Sequence, residues 1–201
     1  MEPVPPIHIY RALMESAKVR IACLRRLTGG GFSLGDERLN WECAALQLRM
    51  VLELIAFASL CAHKAAYSAV HKKFATHWKA ALLLKELAKV HPEFYPQPVR
   101  LDHIKDSGSR HFAPVEGYLT QDEFVRLYDA CSKTIHTPNP FGDLKPIDFG
   151  LAVADWVTRI QTLLDTHFIR LYGLPELWLV QMSAGPEGRV QVAVAGPKAA
   201  I

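Results

Sequence analysis

Arg49 and Glu53 stand one helical turn apart in a stretch that is otherwise apolar on nearly every side. Burying either charge alone is costly. They therefore pair with each other as an internal salt bridge that sets helix register, or they line a polar seam in a cleft. A second group lies in YDACSKTIHTPNPF, where Tyr128, Ser132 and His136 recur every four residues and share a helix face, with Lys133, a further candidate ligand contact, off that face. His136 falls at the end of that helix, where the partial negative charge of the carbonyls favours an imidazolium. Such a stripe suits acid–base work or a phosphate-holding histidine, and its competitor is a histidine that only caps the last carbonyls. A third group, Asp102, His103, Ser109, Arg110 and His111, sits in a proline-rich stretch without sustained periodicity. There Arg110 and His111 are candidate ligand contacts on a lid, against the plainer reading of a solvated loop.

Other chemistries are disfavoured. His63, His71, His77, His91, His103 and His111 include no pair four residues apart, and the four cysteines include no CxxC, so neither a metal nor a cofactor is expected. No Gly-rich phosphate loop, GxSxG elbow or HExxH is present. Cys23, Cys43, Cys61 and Cys131 read as reduced thiols in the core.

The elements that must position these groups are mostly helical by pattern. Ile9, Leu13, Ala17, Ile21 and Leu24 mark an amphipathic helix over 7–27, ended by three glycines at 29–31. Asp36 caps a second helix from Glu37 to at least His63, apolar all round and so expected in the middle of a bundle. A third helix is expected over 74–90 with Pro92 as its stop, and residues 91–117 read as a long loop. Thr120 and Glu123 form a capping box, with Leu119 as the staple, for a fourth helix to about Ile135. Asp148 opens a fifth through Leu171. LWLVQM and RVQVAV flank SAGPEG as a hairpin.

Together these predict a mainly all-α fold, an up-and-down bundle of four or five helices over 1–175, with a short C-terminal β-hairpin and tail over 176–201. The hairpin's apolar face needs covering, by the helices or by a second copy, and a homodimer is expected. With 23 basic and 20 acidic residues the chain lacks the footprint of a DNA-coating protein. Neither a secretory signal nor an uncharged span of about 18 apolar residues is read, so a cytoplasmic protein without a membrane partner is expected.

The order of parts, a long amphipathic helix, a central helix LQLRMVLELIAFASL and a later helix ending at His136, resembles the HEPN superfamily of all-helical domains over residues 7–172. The resemblance implies dimers and, in catalytic members, metal-independent ribonucleases of toxin–antitoxin and phage-defence systems with an arginine–polar–histidine motif. His136 matches the motif histidine. Asp129, Ala130 and Cys131 stand where the arginine would be, and Arg126 is too far upstream, which leaves Arg49 as the substitute cation. The leading expectation is a regulatory or binding domain recognising RNA, a nucleotide or a partner protein. The alternatives are a ribonuclease using His136 with Arg49 and Glu53, and a structural dimerisation module.

Overall fold

A computed structural model describes residues 5–64, 79–106, 108–137, 141 and 147–196. Among the described residues five α-helices and five strands follow one another as α1 (Pro6–Thr28), α2 (Glu37–Ala62), α3 (Ala80–Val90), β1 (Gln97–Ile104), β2 (Arg110–Pro114), α4 (Gln121–Thr134), α5 (Val153–Leu164), β3 (Thr166–Arg170), β4 (Leu177–Gln181) and β5 (Gln191–Ala195).

Where the sequence carries explicit punctuation the helices begin as expected. The Asp36 carboxylate accepts the Leu39 N–H at the start of α2. Thr120 and Glu123 close a reciprocal capping box on α4, with Leu119 fully buried behind it. Helix α2 packs along α1 and α4, and Leu48, Val51, Leu52 and Ile55 lie at the centre of one continuous core. By length and hydropathy alone α2 would pass for a membrane span, and 50% of that window is buried inside the fold. Ser59 on the same helix is fully buried and its hydroxyl has no hydrogen-bond partner among the described residues. Ser59→Ala is accordingly expected to raise stability by about 1 kcal/mol, read as a shift in the denaturant midpoint.

The expected helical bundle with a terminal hairpin is not the fold. The chain is mixed α and β, with an antiparallel five-stranded sheet in the order β2-β1-β3-β4-β5. Two expectations fail for one reason. The presumed loop over 91–117 contains the β1–β2 hairpin, and the presumed fifth helix stops at Leu164, after which Thr166–Arg170 runs as β3 between β1 and β4. β3 alternates in burial while β1 and β2 do not, and what makes the segments one sheet is the pairing of β3 with Gln97 and Pro98 on one side and with β4 on the other, of which the β1–β3 contact joins distant sequence that no local pattern reports. Helix α5 starts at Val153, not Asp148, whose carboxylate instead accepts the Gly150 N–H in the preceding turn. The third helix is described from Ala80; the start of the expected span, with His77, lies outside the described residues, as does His71.

The C-terminal hairpin exists as β4–β5, but it is no appendage. β4 pairs with β3 in register from Thr166 with Gln181 to Arg170 with Leu177, so the sheet crosses the expected division at residue 175. Its inner face, Trp178 and Val180, joins the main core beneath α1, where Tyr10 and Trp178 meet edge to face at 5.6 Å.

Candidate functional sites

Two places gather polar or aromatic groups. The first is the one the sequence pointed to. Arg49 Nε donates to Glu53 Oε1 at 3.0 Å, with both side chains 19% exposed. The Tyr128 hydroxyl reaches the same carboxylate oxygen at 3.2 Å, and the Arg49 guanidinium lies 5.2 Å from the centre of the Tyr128 ring. Desolvation holds the Tyr128 phenol above its ordinary range even though Arg49 pulls the other way. Burial likewise pushes the Cys131 thiol up to about 12 against the pull of Arg49, so it stays protonated and is no nucleophile.

His136 does not join this network. It is exposed beyond the end of α4, roughly 12 Å along the helix axis from Tyr128 at the α-helical rise. Among the described residues no hydrogen bond or ion pair links it to Arg49 or Glu53. Ser132 turns its hydroxyl back to the Tyr128 carbonyl at 2.7 Å, and Lys133 points into solvent. Arg49, Glu53 and Tyr128 therefore form a partly buried tie between α2 and α4, in which the cation is already neutralised. Glu53→Ala, which leaves Arg49 without its carboxylate, is expected to cost about 1–3 kcal/mol of stability in a denaturant titration.

Arg110 and His111 lie elsewhere, on β2. His111 stacks flat on His103 with ring centres 4.5 Å apart, and His103 Nδ1 sits 2.9 Å from Asp102. That contact with His103 is the main reason the Asp102 carboxyl lies below its ordinary range. Among the described residues no group of three or more His, Cys, Asp or Glu side chains is placed to hold a metal. All four cysteines are free thiols, and only Cys131 is buried; the other three are half-buried and not the core thiols expected.

The second place follows from strand parity. Residues paired across neighbouring strands share a face, and α1 and α5 pack on the face that carries His167, Ile169, Trp178 and Val180. The opposite face carries Gln97, Val99 and Phe112 with Phe168 and Arg170, then Leu177 and Leu179, then Gln191 and Ala193. Phe112 and Phe168 meet edge to face at 5.2 Å and remain half-buried, with solvent-exposed Arg170 beside them. A groove of about 510 Å³ runs over these rings and is bordered by Tyr118, Gln97 and Gln121. Arg170 is aimed across it by Gln97 at 3.1 Å and Glu93 at 3.5 Å. Neither phenylalanine was singled out by sequence reasoning, because one lies in the presumed loop and the other in the presumed helix. The readable signal was the short alternating run THFIR, rich in β-branched and aromatic residues.

Fold and sites together define a mixed α and β protein whose antiparallel sheet leaves one aromatic-bearing face toward solvent. No family model, no curated protein and no solved structure matches the chain. The sheet is a part that the all-helical HEPN pattern does not include.

Proposed function

We propose that this protein is a binding module for single-stranded nucleic acid, RNA in the first instance, with the outer face of the sheet as its platform. The observation that carries the reading is the Phe112–Phe168 pair on that face, next to an arginine and two glutamines along a groove. Bases offer π-faces that stack on aromatic rings whatever the sequence, and antiparallel sheets display rings at the two-residue period that a single strand can follow. Arg170 is paired with Glu93 only at 3.5 Å with both side chains well exposed, unlike the buried Arg49–Glu53 pair, so it can turn to a phosphate, and the amides of Gln97 and Gln121 supply donors and acceptors for base edges. Arg110 shares the outer face with Phe112 by parity and extends the cationic track along the β1–β2 hairpin. The module reading needs no catalytic group, and it leaves the Arg49–Glu53–Tyr128 tie a structural role.

The test is fluorescence anisotropy with labelled single-stranded RNA, single-stranded DNA and duplex across a salt series. Phe168→Ala and Phe112→Ala are each expected to weaken single-strand binding by roughly 5- to 150-fold, the equivalent of about 1–3 kcal/mol per stacked base. Arg170→Ala is expected to flatten the salt dependence by about one phosphate contact. His136→Ala is expected to bind as the parent does. Absence of single-strand binding at low salt, or wild-type affinity in Phe168→Ala with loss in His136→Ala, sinks the proposal, as does a groove that takes only a proline-rich peptide.

A further inference from the structure

The two edges of the sheet are built differently, and the difference can be read from which backbone groups point outward. The Met182 N–H donates to the Asp165 carbonyl at 2.9 Å, one step beyond the Thr166–Gln181 pair. Alternation in an antiparallel ladder then turns Leu177, Leu179 and Gln181 toward β5, where they exchange bonds with Ala195, Ala193 and Gln191. Val190, Val192 and Val194 are left facing the free side. The Val190 N–H does point away, since it donates to the Glu15 carboxylate of α1 at 2.6 Å. Among the described residues nothing bonds the outward groups of Val192 and Val194.

On the other edge the same reasoning starts from the Val115 N–H, which donates to the Pro98 carbonyl at 3.2 Å. Arg110, Phe112 and Pro114 then face outward. A proline without an N–H and a charged arginine at outward positions, together with the bulge between Leu101 and His103, are devices that keep an edge from pairing. The β5 sequence QVAVA has no charge, no proline and no bulge.

We infer that β5 pairs antiparallel with β5 of a second copy of this chain, about a two-fold axis through Ala193, to give one continuous ten-stranded sheet. The register follows from the edge. Setting Val192 opposite Val194 of the second copy, and the reverse, lets the outward groups of both make four N–H···O=C bonds and places Ala193 opposite itself. That central pair is the close, non-hydrogen-bonded type, which alanine's single methyl fits. Val194, 62% exposed on the inner face, then lies against the other copy's valine and loses that exposure. The flank does not oppose a second copy: the groove of about 770 Å³ beside β5 is lined by Arg11 and Arg189 and by Glu15 and Glu187, and with Glu187 paired to Arg189 at 3.3 Å and Glu15 held by the Val190 N–H, no excess of one charge meets itself across the axis. The axis stands perpendicular to the sheet, which keeps the outer faces of both copies on one side.

Sedimentation equilibrium on the full chain tests this, with a mass of twice 22.5 kDa expected for the wild type. Val194→Pro removes an outward N–H that the β4–β5 ladder does not use, and it is expected to give the single-chain mass with an unchanged circular dichroism spectrum. Ala193→Lys, at an exposed position, sets two like charges on the axis and is expected to weaken association at least tenfold, with partial recovery at high salt. Val194→Thr keeps the N–H and is expected to remain dimeric. A wild type at the single-chain mass throughout, or dimers that survive both Val194→Pro and Ala193→Lys, overturns the inference. These masses are read without nucleic acid, so their outcome does not depend on the binding proposal.

Discussion

Acidifying the protein from pH 6.5 to pH 4 is expected to remove about 3 kcal/mol of stability through His167 alone. The side chain is fully buried, and its two ring nitrogens are assigned by their partners. Nδ1 stands 2.8 Å from the Leu164 carbonyl, which can only accept, so Nδ1 carries the proton and donates. Nε2 then accepts from the Tyr10 hydroxyl at 2.7 Å. Both nitrogens are satisfied only by the neutral ring, and burial lowers its pKa from the ordinary 6.5 to about 4, against the pull of the Leu164 carbonyl. The folded state therefore binds fewer protons than the unfolded chain between those two values. Stability is complete above pH 6.5 and falls by about 1.4 kcal/mol per pH unit until the folded pKa is passed. His63, whose pKa burial also lowers, acts in the same direction, while Asp165, raised by burial, opposes it in the acid part of the window. Denaturant midpoints for wild type and His167→Gln isolate the histidine: the variant's stability is expected to depend on pH by about one proton less over this interval. Equal slopes in the two proteins would show that His167 titrates normally.

Replacing Tyr10 by alanine is expected to cost about 3–5 kcal/mol, the range for emptying a packed aromatic site in a core. Tyr10 is 1% exposed, lies edge to face on Trp178 and is the hydroxyl donor to His167. Burial first, and the nearby Cys61 second, hold its phenol far above the ordinary range, so it remains a donor at any pH at which the protein is folded. Tyr10→Phe separates the two contributions. It keeps the ring but leaves Nε2 of a buried imidazole without a partner, at a cost of about 1–3 kcal/mol. The phenylalanine variant is expected to lie between wild type and alanine in a guanidinium titration. A Tyr10→Phe protein as unstable as Tyr10→Ala would mean that the hydrogen bond, not the packing, holds α1 to the sheet.

Local signals were sufficient wherever a structure is stabilised by neighbours in the chain. The caps at Asp36 and Thr120 and the Arg49–Glu53 pair are bonds between residues three or four positions apart, the stripe of α1 is a helical period, and the β4–β5 hairpin is marked by the turn residues between two β-rich runs. Short strands without a tight turn carry no such signal. THFIR has an apolar residue at every helical spacing a preceding helix needs, and only pairing with Gln97–Pro98 on one side and β4 on the other makes it a strand. The β1–β2 segment does have a tight turn, with the Lys105 N–H donating to the Ser109 carbonyl at 2.9 Å, but its prolines, its histidines and the bulge between Leu101 and His103 hide the strand period on either side of it.

The tertiary structure alone decided which polar groups meet. Tyr10 and His167 are 157 positions apart, Glu53 and Tyr128 are 75, and no spacing rule joins them. It also separated groups that residue type had put together, since Arg110 and His111 stand on the sheet while His136 ends a helix without contact to Arg49. The physical reason is that a side chain's role depends on what surrounds and desolvates it. Phe168 reads as core in a one-dimensional pattern, and the sheet turns it to the outer face beside Phe112 and Arg170. Periodicity told which residues share a face, and the packing of α1 and α5 decided which of the two faces water sees.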